Sequence, residues 1–233
     1  MKIGHSAMVL AAGFGTRMRP LTNTKPKPLI EVAGKPLIAY GFERLVEAGV
    51  TTAVVNAHYL PHQIIKWCKL QTSPKVIISD ETDAILDTGG GIARALPLLG
   101  SEPFFVLNSD SFWIDKGPPA LQRLRDAWDD KMDCLLLLCD PKHTTGYDGD
   151  GDFKLAEDGR LMPQTSNSLT YIGGYLVHPR LFENAPTGKF SMWRMWEKAL
   201  AKRTLFGLAH RGHWLHVGTP ESITKAEQYL KME

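Results

Sequence analysis

Short apolar runs alternate with amphipathic segments along the first half of the chain. The runs are continuous, as expected for strands that are buried on both faces of a parallel sheet. They predict strands at 7–12, 51–56, 75–79 and 104–107. Apolar residues at helical spacing predict helices at 36–48, 61–70 and 92–99. This alternation predicts an α/β fold with a doubly wound, mostly parallel sheet.

The second half of the chain is patterned less regularly. Predicted strands lie at 133–139, 153–155, 161–163, 170–177 and 205–210, and predicted helices at 118–130, 191–203 and 220–231. Trp193 and Trp196 are three residues apart on one of these helices, which favours core packing for both indoles. A turn-rich stretch at 146–152 contains three aspartates but lacks the spacing and terminal Glu of an EF-hand.

Polar, loop-like segments follow three of the predicted strands, at 13–27, 80–91 and 108–111. The carboxyl ends of parallel strands meet at one edge of a sheet, and ligands of open α/β sheets bind beyond that edge. We therefore expect these three segments to form a single ligand site.

Composition and charge indicate which classes of ligand the protein does not bind and in which compartment it is expected. The 233 residues carry a formal net charge of +2, which argues against a broad nucleic-acid-binding face. The apolar run at 7–12 is too short for a signal peptide or a membrane span. The three cysteines form no CxxC pair, which favours reduced thiols. We expect a cytoplasmic protein that binds neither nucleic acid nor a membrane.

The segment after the first strand combines small residues with cations. Gly13 and Gly15 allow close approach of backbone amides to a phosphate or a base edge. Arg17 follows directly and Lys27 comes ten residues later, offering a planar fork and a point charge to phosphate oxygens. The Gly-Lys-Ser/Thr of a P-loop is absent, and Met18 stands where a dinucleotide fingerprint has its third glycine.

The residues from Leu10 to Thr22, with Pro26-Lys-Pro-Leu and Val32-Ala-Gly-Lys-Pro-Leu-Ile, resemble the sugar-1-phosphate nucleotidyltransferase family. Shorter matches at Val55-Asn-Ala-His, Thr88-Gly-Gly-Gly-Ile, Asn108-Ser-Asp, Gly151-Asp-Phe and Val217-Gly-Thr extend the resemblance over nearly the whole chain. It implies a single domain with a Rossmann-like nucleotidyltransferase fold. A nucleotide-binding half would cover about 1–139, a small α+β sugar-binding lobe about 140–215, and the C-terminal helix 216–233.

The resemblance also implies roles for individual residues. Arg17 would hold the β- and γ-phosphates, Lys27 the α-phosphate and the sugar phosphate, and Asp110 a Mg²⁺ ion. The implied nucleotide-binding residues are Leu10, Ala11, Ala12, Gly13, Gly15, Thr16, Asp80, Glu81, Thr88 and Gly89. The implied sugar-binding residues are Asn108, Asp152 and Gly173. Asn56 and His58 are interpreted either as shaping the pocket or as a buried polar pair.

The chain departs from the family pattern at two positions. Ser109 stands where glycine is usual, and the small hydroxyl should be tolerated. His216 replaces the second metal-binding aspartate before Val-Gly-Thr. Mg²⁺ prefers oxygen ligands, whereas imidazole suits softer metals, so a metal bound by His216 would be Mn²⁺ or another transition metal. Three interpretations stay open for His216: a metal ligand, a hydrogen-bonding partner of a phosphate or metal-bound water, or a structural residue.

Within the family, Leu86-Asp-Thr-Gly-Gly-Gly-Ile, Gly151-Asp-Phe and the short length favour the uridylyltransferases of peptidoglycan recycling. These enzymes join UTP to N-acetylmuramate 1-phosphate. Guanylyltransferases that act on mannose 1-phosphate share much of the pattern and are the alternative. A non-catalytic sensor of nucleotides or sugar phosphates, motivated by His216, is a hypothesis of another class. The expected partners are these small molecules, and the expected assembly is a monomer or small homo-oligomer.

Overall fold

A computed structural model describes residues 3–164 and 168–233. The strands are β1 (Ser6–Leu10), β2 (Glu31–Val32), β3 (Lys35–Pro36), β4 (Thr52–Ala57), β5 (Lys75–Asp80), β6 (Phe104–Asn108), β7 (Ser111–Asp115), β8 (Cys134–Cys139), β9 (Thr144–Thr145), β10 (Phe153–Leu155), β11 (Leu161–Pro163), β12 (Thr170–Val177), β13 (Leu205–Ala209) and β14 (Gly212–His216). The α-helices are α1 (Leu37–Glu47), α2 (Pro61–Cys68), α3 (Asp87–Leu99), α4 (Ala120–Ala127), α5 (Trp193–Ala201) and α6 (Pro220–Leu230).

A seven-stranded sheet forms the centre, in the order β13-β8-β12-β6-β1-β4-β5. Strand β12 runs antiparallel to both of its neighbours, β6 and β8, and the other pairs are parallel. The predicted α/β fold with a mostly parallel sheet is therefore confirmed. Segment 140–215 contributes β12 and β13 to this sheet, whereas β9, β10 and β11 lie outside it.

Helices cover both faces of the sheet, which makes it doubly wound. Alternate residues of β1 divide between the faces: Ala7 and Val9 belong to one apolar cluster and Met8 to the other. The first cluster contains buried residues of α1, α2 and α4, and the second contains those of α3 and α5. The continuous apolar runs in the sequence are thus explained by burial on both sides.

A second sheet of three strands, ordered β7-β14-β9, lies beside the main one. Strand β7 pairs antiparallel with β14, so that His216 lies opposite Ser111. The sequence did not predict β7 or β14. Strand β7 begins only three residues after β6 ends, and β14 begins after a similarly short break. The pairing brings the C-terminal Val-Gly-Thr segment beside the residues that follow β6.

Helix α3 begins at Asp87, so the predicted start at 92 was wrong. The three glycines lie inside the helix because each faces a close neighbour. A Cβ atom would lie 2.4 Å from the Phe190 ring at Gly89, 2.3 Å from the Gly188 carbonyl oxygen at Gly90, and 2.8 Å from the Glu81 carboxyl at Gly91. Close packing, rather than helix opening, accounts for the run of glycines.

The prediction of core packing is confirmed for Trp196, which is buried, and was wrong for Trp193. Trp193 is 42% exposed although it lies on the same helix. Its ring stacks on Phe153, with 5.2 Å between centroids. Spacing three apart places two side chains on one helical face, but the edge of that face remains open to solvent.

Replacing Gly90 by Ala should destabilise the fold by about 1–3 kcal/mol, because the backbone contact with Gly188 leaves no room for a methyl group. Gly41 in α1 is a matched control. A Cβ atom there meets only Leu107 at 3.4 Å, an ordinary contact, and Ala is the better helix former. Urea unfolding should show a lower midpoint for Gly90→Ala and an unchanged or higher one for Gly41→Ala. Equal midpoints would contradict the packing argument.

Candidate active site

A cavity of about 420 Å³ opens at the carboxyl ends of β1, β4, β5 and β6. The three polar segments predicted to meet at this edge all contribute to it. Its lining consists of Leu10, Ala11, Ala12, Gly13, Gly15, Thr16, Arg17, Met18, Lys27, Pro28, Asn56, Glu81, Ile85, Asp87, Thr88, Asn108, Ser109, Asp110, Lys189 and Gly218. The arrangement therefore brings Arg17, Lys27 and Asp110 to one cavity.

The loop after β1 is shaped by Gly15, which has a φ of +59°. A Cβ atom there would lie 2.8 Å from the Lys27 Cβ, so only glycine lets the loop rest against Lys27. The Thr22 hydroxyl donates to the Gly15 carbonyl oxygen over 2.9 Å. Three short 3-10 helices, Thr16–Met18, Leu21–Asn23 and Lys27–Leu29, carry the chain from the glycines to Lys27. The segment between Arg17 and Lys27 is thus a loop that folds back, so that Lys27 lies against Gly15.

Lys27 and Asp110 form an ion pair inside the cavity, with 2.9 Å between Nζ and Oδ2. Lys27 is only 8% exposed, which is unusual for a lysine. Burial by itself raises the pKa of the Asp110 carboxyl, but Lys27, His216 and Arg17 outweigh it and hold the pKa below its usual value. Asp110 is therefore an ionised carboxylate at neutral pH, available to a cation.

Arg17, His216 and Gly218 meet at the side of the cavity nearest α6. A Cβ atom on Gly218 would lie 2.8 Å from His216 Nε2 and 3.5 Å from an Arg17 guanidinium nitrogen. Burial lowers the pKa of the His216 imidazole, and Lys27 and Arg17 add to this effect while Asp110 opposes it. The ring is thus neutral at pH 7. Its buried Nδ1 has no hydrogen-bond partner among the residues that the structure describes.

Asn56 links the glycine loop to a buried acid at the floor of the cavity. Its Oδ1 accepts from the Ala11 amide at 2.7 Å, and its Nδ2 donates to Glu81 Oε1 at 2.8 Å. Burial raises the pKa of the fully buried Glu81 carboxyl, although the bond from Asn56 acts in the opposite direction. His58 contacts the Glu81 carbonyl oxygen through Nδ1 at 2.6 Å. Asn56 is thus buried and part of the cavity lining, whereas His58 is half-buried, lies outside the lining and is linked to Asn56 only through Glu81.

Two of the predicted nucleotide-binding residues lie outside the cavity lining. Asp80 is exposed at the end of β5, where its carboxylate accepts from the Thr82 amide. Gly89 is buried against Phe190. Thr88 lines the cavity, and its hydroxyl accepts from the Met192 amide at 2.8 Å. Of the four nucleotide-binding residues predicted in the segment at 80–91, Glu81 and Thr88 therefore line the cavity, and Asp80 and Gly89 do not.

Among the predicted sugar-binding residues, Asn108 lines the cavity and the other two lie behind it. Gly173 has a φ of +89° and packs on Asn108, where a Cβ atom would lie 3.2 Å from the Asn108 Cβ. Asp152 accepts from the Thr170 hydroxyl and from the Tyr171 amide. The Tyr171 hydroxyl in turn lies 3.5 Å from Asn108 Oδ1.

Several lining residues were not predicted, notably Ile85, Asp87, Lys189 and Gly218. Gly218 belongs to the Val-Gly-Thr match, and this motif could have identified it. Lys189 follows a glycine in an otherwise ordinary loop and gave no sequence signal. Ser109 was expected to be tolerated in place of glycine. Its hydroxyl donates to the Leu10 carbonyl oxygen at 2.5 Å and ties the ends of β1 and β6 together.

Asp110 and His216 are two residues of this site whose side chains could bind a metal such as Mg²⁺. Within residues 3–164 and 168–233, no group of three His, Cys, Asp or Glu side chains is positioned to hold a metal. Mg²⁺ does not require such a cage, since it is usually bound through one or two carboxylates together with substrate phosphates and water. The ionised Asp110 carboxylate in the cavity lining fits a metal whose remaining ligands are a bound phosphate and water, and His216 lies beside Gly218 with no partner for its buried Nδ1 among the described residues.

Among the described residues, no helix has the length and apolar character needed to cross a lipid bilayer.

Residues 6–233 match the model of the nucleotidyl transferase family, so the chain belongs to that family. It is 42% identical over 232 residues to N-acetylmuramate alpha-1-phosphate uridylyltransferase of Caulobacter vibrioides, with 96% of each chain covered. The enzyme of the same description from Neisseria meningitidis is 38% identical, with 95% of this chain and 96% of that one covered. The resemblance and the enzyme class that the sequence predicted are confirmed.

The fold agrees with solved structures. A UDP-glucose pyrophosphorylase complexed with UDP-glucose superposes with a TM-score of 0.79 over the whole of both chains, at 19% identity. This likeness supports the architecture.

Proposed function

We propose that the protein transfers a nucleotidyl group from UTP to N-acetylmuramate 1-phosphate and releases pyrophosphate. The observation that carries the proposal is the convergence of Arg17, Lys27 and Asp110 on one cavity, with Lys27 and Asp110 in contact. The Caulobacter and Neisseria relatives support the choice of substrates. The cytoplasm, which supplies UTP and sugar phosphates, is the compartment that this reaction implies, and recycled peptidoglycan would supply the sugar.

The reaction requires two anions to approach each other. An oxygen of the sugar phosphate attacks the α-phosphorus, forming a new P–O bond, while the bond to the oxygen bridging to the β-phosphorus breaks. The electron pair leaves with pyrophosphate. A phosphate nucleophile is already ionised, so alignment and neutralisation of charge supply most of the rate enhancement.

The residues of the cavity suit these tasks. Lys27 is held in a buried position by Asp110, so its ammonium group would be pre-organised to neutralise the reacting phosphates. Arg17 is exposed at the cavity wall, where its planar fork can take the oxygens of the departing pyrophosphate. Backbone amides of the loop after β1 would contact the nucleotide. Asn108, backed by Tyr171 and Gly173, would face the sugar.

A divalent metal, Mg²⁺ or Mn²⁺, would be held by Asp110, with His216 as a further ligand or as a partner of metal-bound water. When bound, such an ion neutralises phosphate charge and orients the triphosphate. The neutral state of His216 supports both roles, because a neutral imidazole keeps one nitrogen lone pair free.

The proposal is tested by incubating the purified protein with each NTP, each of several sugar 1-phosphates, and Mg²⁺ or Mn²⁺. We expect mass spectrometry to detect UDP-N-acetylmuramate together with one equivalent of pyrophosphate. Preferred formation of GDP-mannose would replace the proposal by the guanylyltransferase alternative. Nucleotide binding without any product under every metal condition would replace it by the sensor hypothesis.

A further inference from the structure

Lys189 is a cation of the cavity that the reaction described above does not use. It lines the same cavity as Arg17, Lys27 and Asp110, but it comes from a distant part of the chain, between β12 and α5. Its side chain is exposed and forms no ion pair within the described part of the chain. By contrast, the Lys27 ammonium is already paired with Asp110.

The backbone around Lys189 is fixed although its side chain is free. The Phe190 carbonyl oxygen accepts from the amides of Gly89 and Gly90 at 2.9 and 3.0 Å, and the Phe190 amide donates to the Leu86 carbonyl oxygen at 3.0 Å. Phe190 itself is buried. On the other side, the Gly188 carbonyl packs closely on Gly90. The lysine is therefore presented to the cavity from a rigid segment.

The first amides of α3 cannot serve as an anion site on this wall. Gly89 and Gly90 donate to Phe190, and the Thr88 amide donates to the Asp87 carboxylate at 2.6 Å. A helix N-terminus binds phosphate through free amides, and these three are already occupied. An anion at this wall would therefore rely chiefly on the Lys189 side chain, which is the cation that the wall carries.

The segment that carries Lys189 continues toward the predicted sugar side of the cavity. The Met192 amide is fixed by Thr88, and Trp193 stacks on Phe153, the residue that follows Asp152. The other two cations, Arg17 and Lys27, come from the loop after β1, and of these Lys27 is expected to contact the sugar phosphate as well as the nucleotide. Lys189 belongs to the segment at 140–215 that was predicted to bind the sugar, which favours the acceptor substrate as its ligand. The backbone of this segment nevertheless also packs on Gly89, a predicted nucleotide-binding residue.

We propose that Lys189 binds an anionic group of the sugar 1-phosphate. The inference rests on the proposed function, and it adds a recognition residue for the acceptor. The group is either the phosphate or, in N-acetylmuramate 1-phosphate, the carboxylate of the lactyl substituent. Both offer oxygens that an ammonium group binds through charge-assisted hydrogen bonds.

The test compares Lys189→Met, Lys189→Arg and the wild type, with Lys202→Met as a matched control at an exposed lysine outside the cavity lining. Calorimetric titrations use N-acetylmuramate 1-phosphate and N-acetylglucosamine 1-phosphate, in the presence of a non-hydrolysable UTP analogue. A charge-assisted contact predicts about tenfold weaker binding, or more, for Lys189→Met. Lys189→Arg should retain most of the affinity, and the control should equal the wild type.

The pattern of loss identifies the group. Weaker binding of both sugars assigns the contact to the phosphate, and weaker binding of the acidic sugar alone assigns it to the carboxylate. Steady-state kinetics should show a raised KM for the sugar phosphate with little change in the KM for UTP. The inference is overturned if Lys189→Met binds both sugars with wild-type affinity, or if only the KM for UTP changes. It is also overturned if the wild type binds neither sugar.

The titrations do not depend on turnover, so the two proposals fail separately. Binding of sugar phosphate that requires Lys189, without formation of any nucleotide sugar, would remove the proposed function and leave the role of Lys189 in place. If the wild type forms the nucleotide sugar and Lys189→Met is indistinguishable from it, the proposed function stands and the role of Lys189 is removed.

Discussion

Replacement of Lys27 by Met is expected to lower kcat/KM by about 10²- to 10³-fold, equivalent to about 3–4 kcal/mol of transition-state stabilisation. Methionine fills the space of the lysine stem but cannot neutralise phosphate charge. The loss should appear chiefly in kcat, because the charge that Lys27 compensates grows as the P–O bonds exchange. The measurement is steady-state formation of pyrophosphate at saturating metal.

Lys25→Met provides the control for this variant. Lys25 lies two residues away in the same loop, but its ammonium forms an exposed ion pair with Glu31 at 3.1 Å. Exposed pairs contribute little to stability, so both activity and melting temperature should stay near the wild-type values. Lys27→Met should also remain folded by circular dichroism. Turnover of a folded Lys27→Met protein at the wild-type rate would remove Lys27 from the mechanism.

Replacement of Asp110 by Asn is expected to lower kcat/KM at least about 10²-fold and to raise the concentration of Mg²⁺ or Mn²⁺ needed for half-maximal activity. The amide keeps the shape of the carboxylate but removes the charge that attracts a divalent ion. It also leaves the buried Lys27 ammonium without its counter-ion. Activity is measured as a function of metal concentration, with UTP held constant.

Asp83→Asn is the matched substitution for Asp110→Asn. Asp83 pairs with Arg94 at 2.6 Å, but the pair is exposed and lies outside the cavity lining. Its loss should leave the metal dependence unaltered. An Asp110→Asn enzyme with the metal titration curve of the wild type would exclude Asp110 as a metal-binding residue.

The glycine loop and the strand ends were predictable because their signals are local. A continuous apolar run, then Gly13, Gly15 and Arg17, indicates a buried strand followed by a tight turn, and the resemblance to the family adds the expectation that this turn binds phosphate. Asp110 was placed by the same reasoning, since carboxyl ends of neighbouring parallel strands meet. The loop after β1 and the residues after β6 lie close together because β6 and β4 flank β1 in the sheet.

Contacts between distant segments could not be read from the sequence. From the sequence, the three glycines of α3 were expected to precede a helix that starts at Ile92, and only their contacts with Phe190 and Gly188 explain why they lie inside it. Lys189 acquires its position from the same contacts, so no local pattern marks it. Asp152 was assigned to the sugar from a motif, whereas the carboxylate is engaged by Thr170 and Tyr171. Its contribution to sugar recognition therefore remains a prediction and would act through Tyr171.

The pairing of β7 with β14 has a consequence for the order of events during synthesis. Gly218 lines the cavity and His216 packs against Gly218, yet both leave the ribosome more than 100 residues after Asp110. A nascent chain that has folded its central strands thus carries a half-open cavity, with one edge of β7 unpaired. Truncation before β14 should yield a polypeptide that retains Lys27 and Asp110 but lacks Gly218 from the cavity lining.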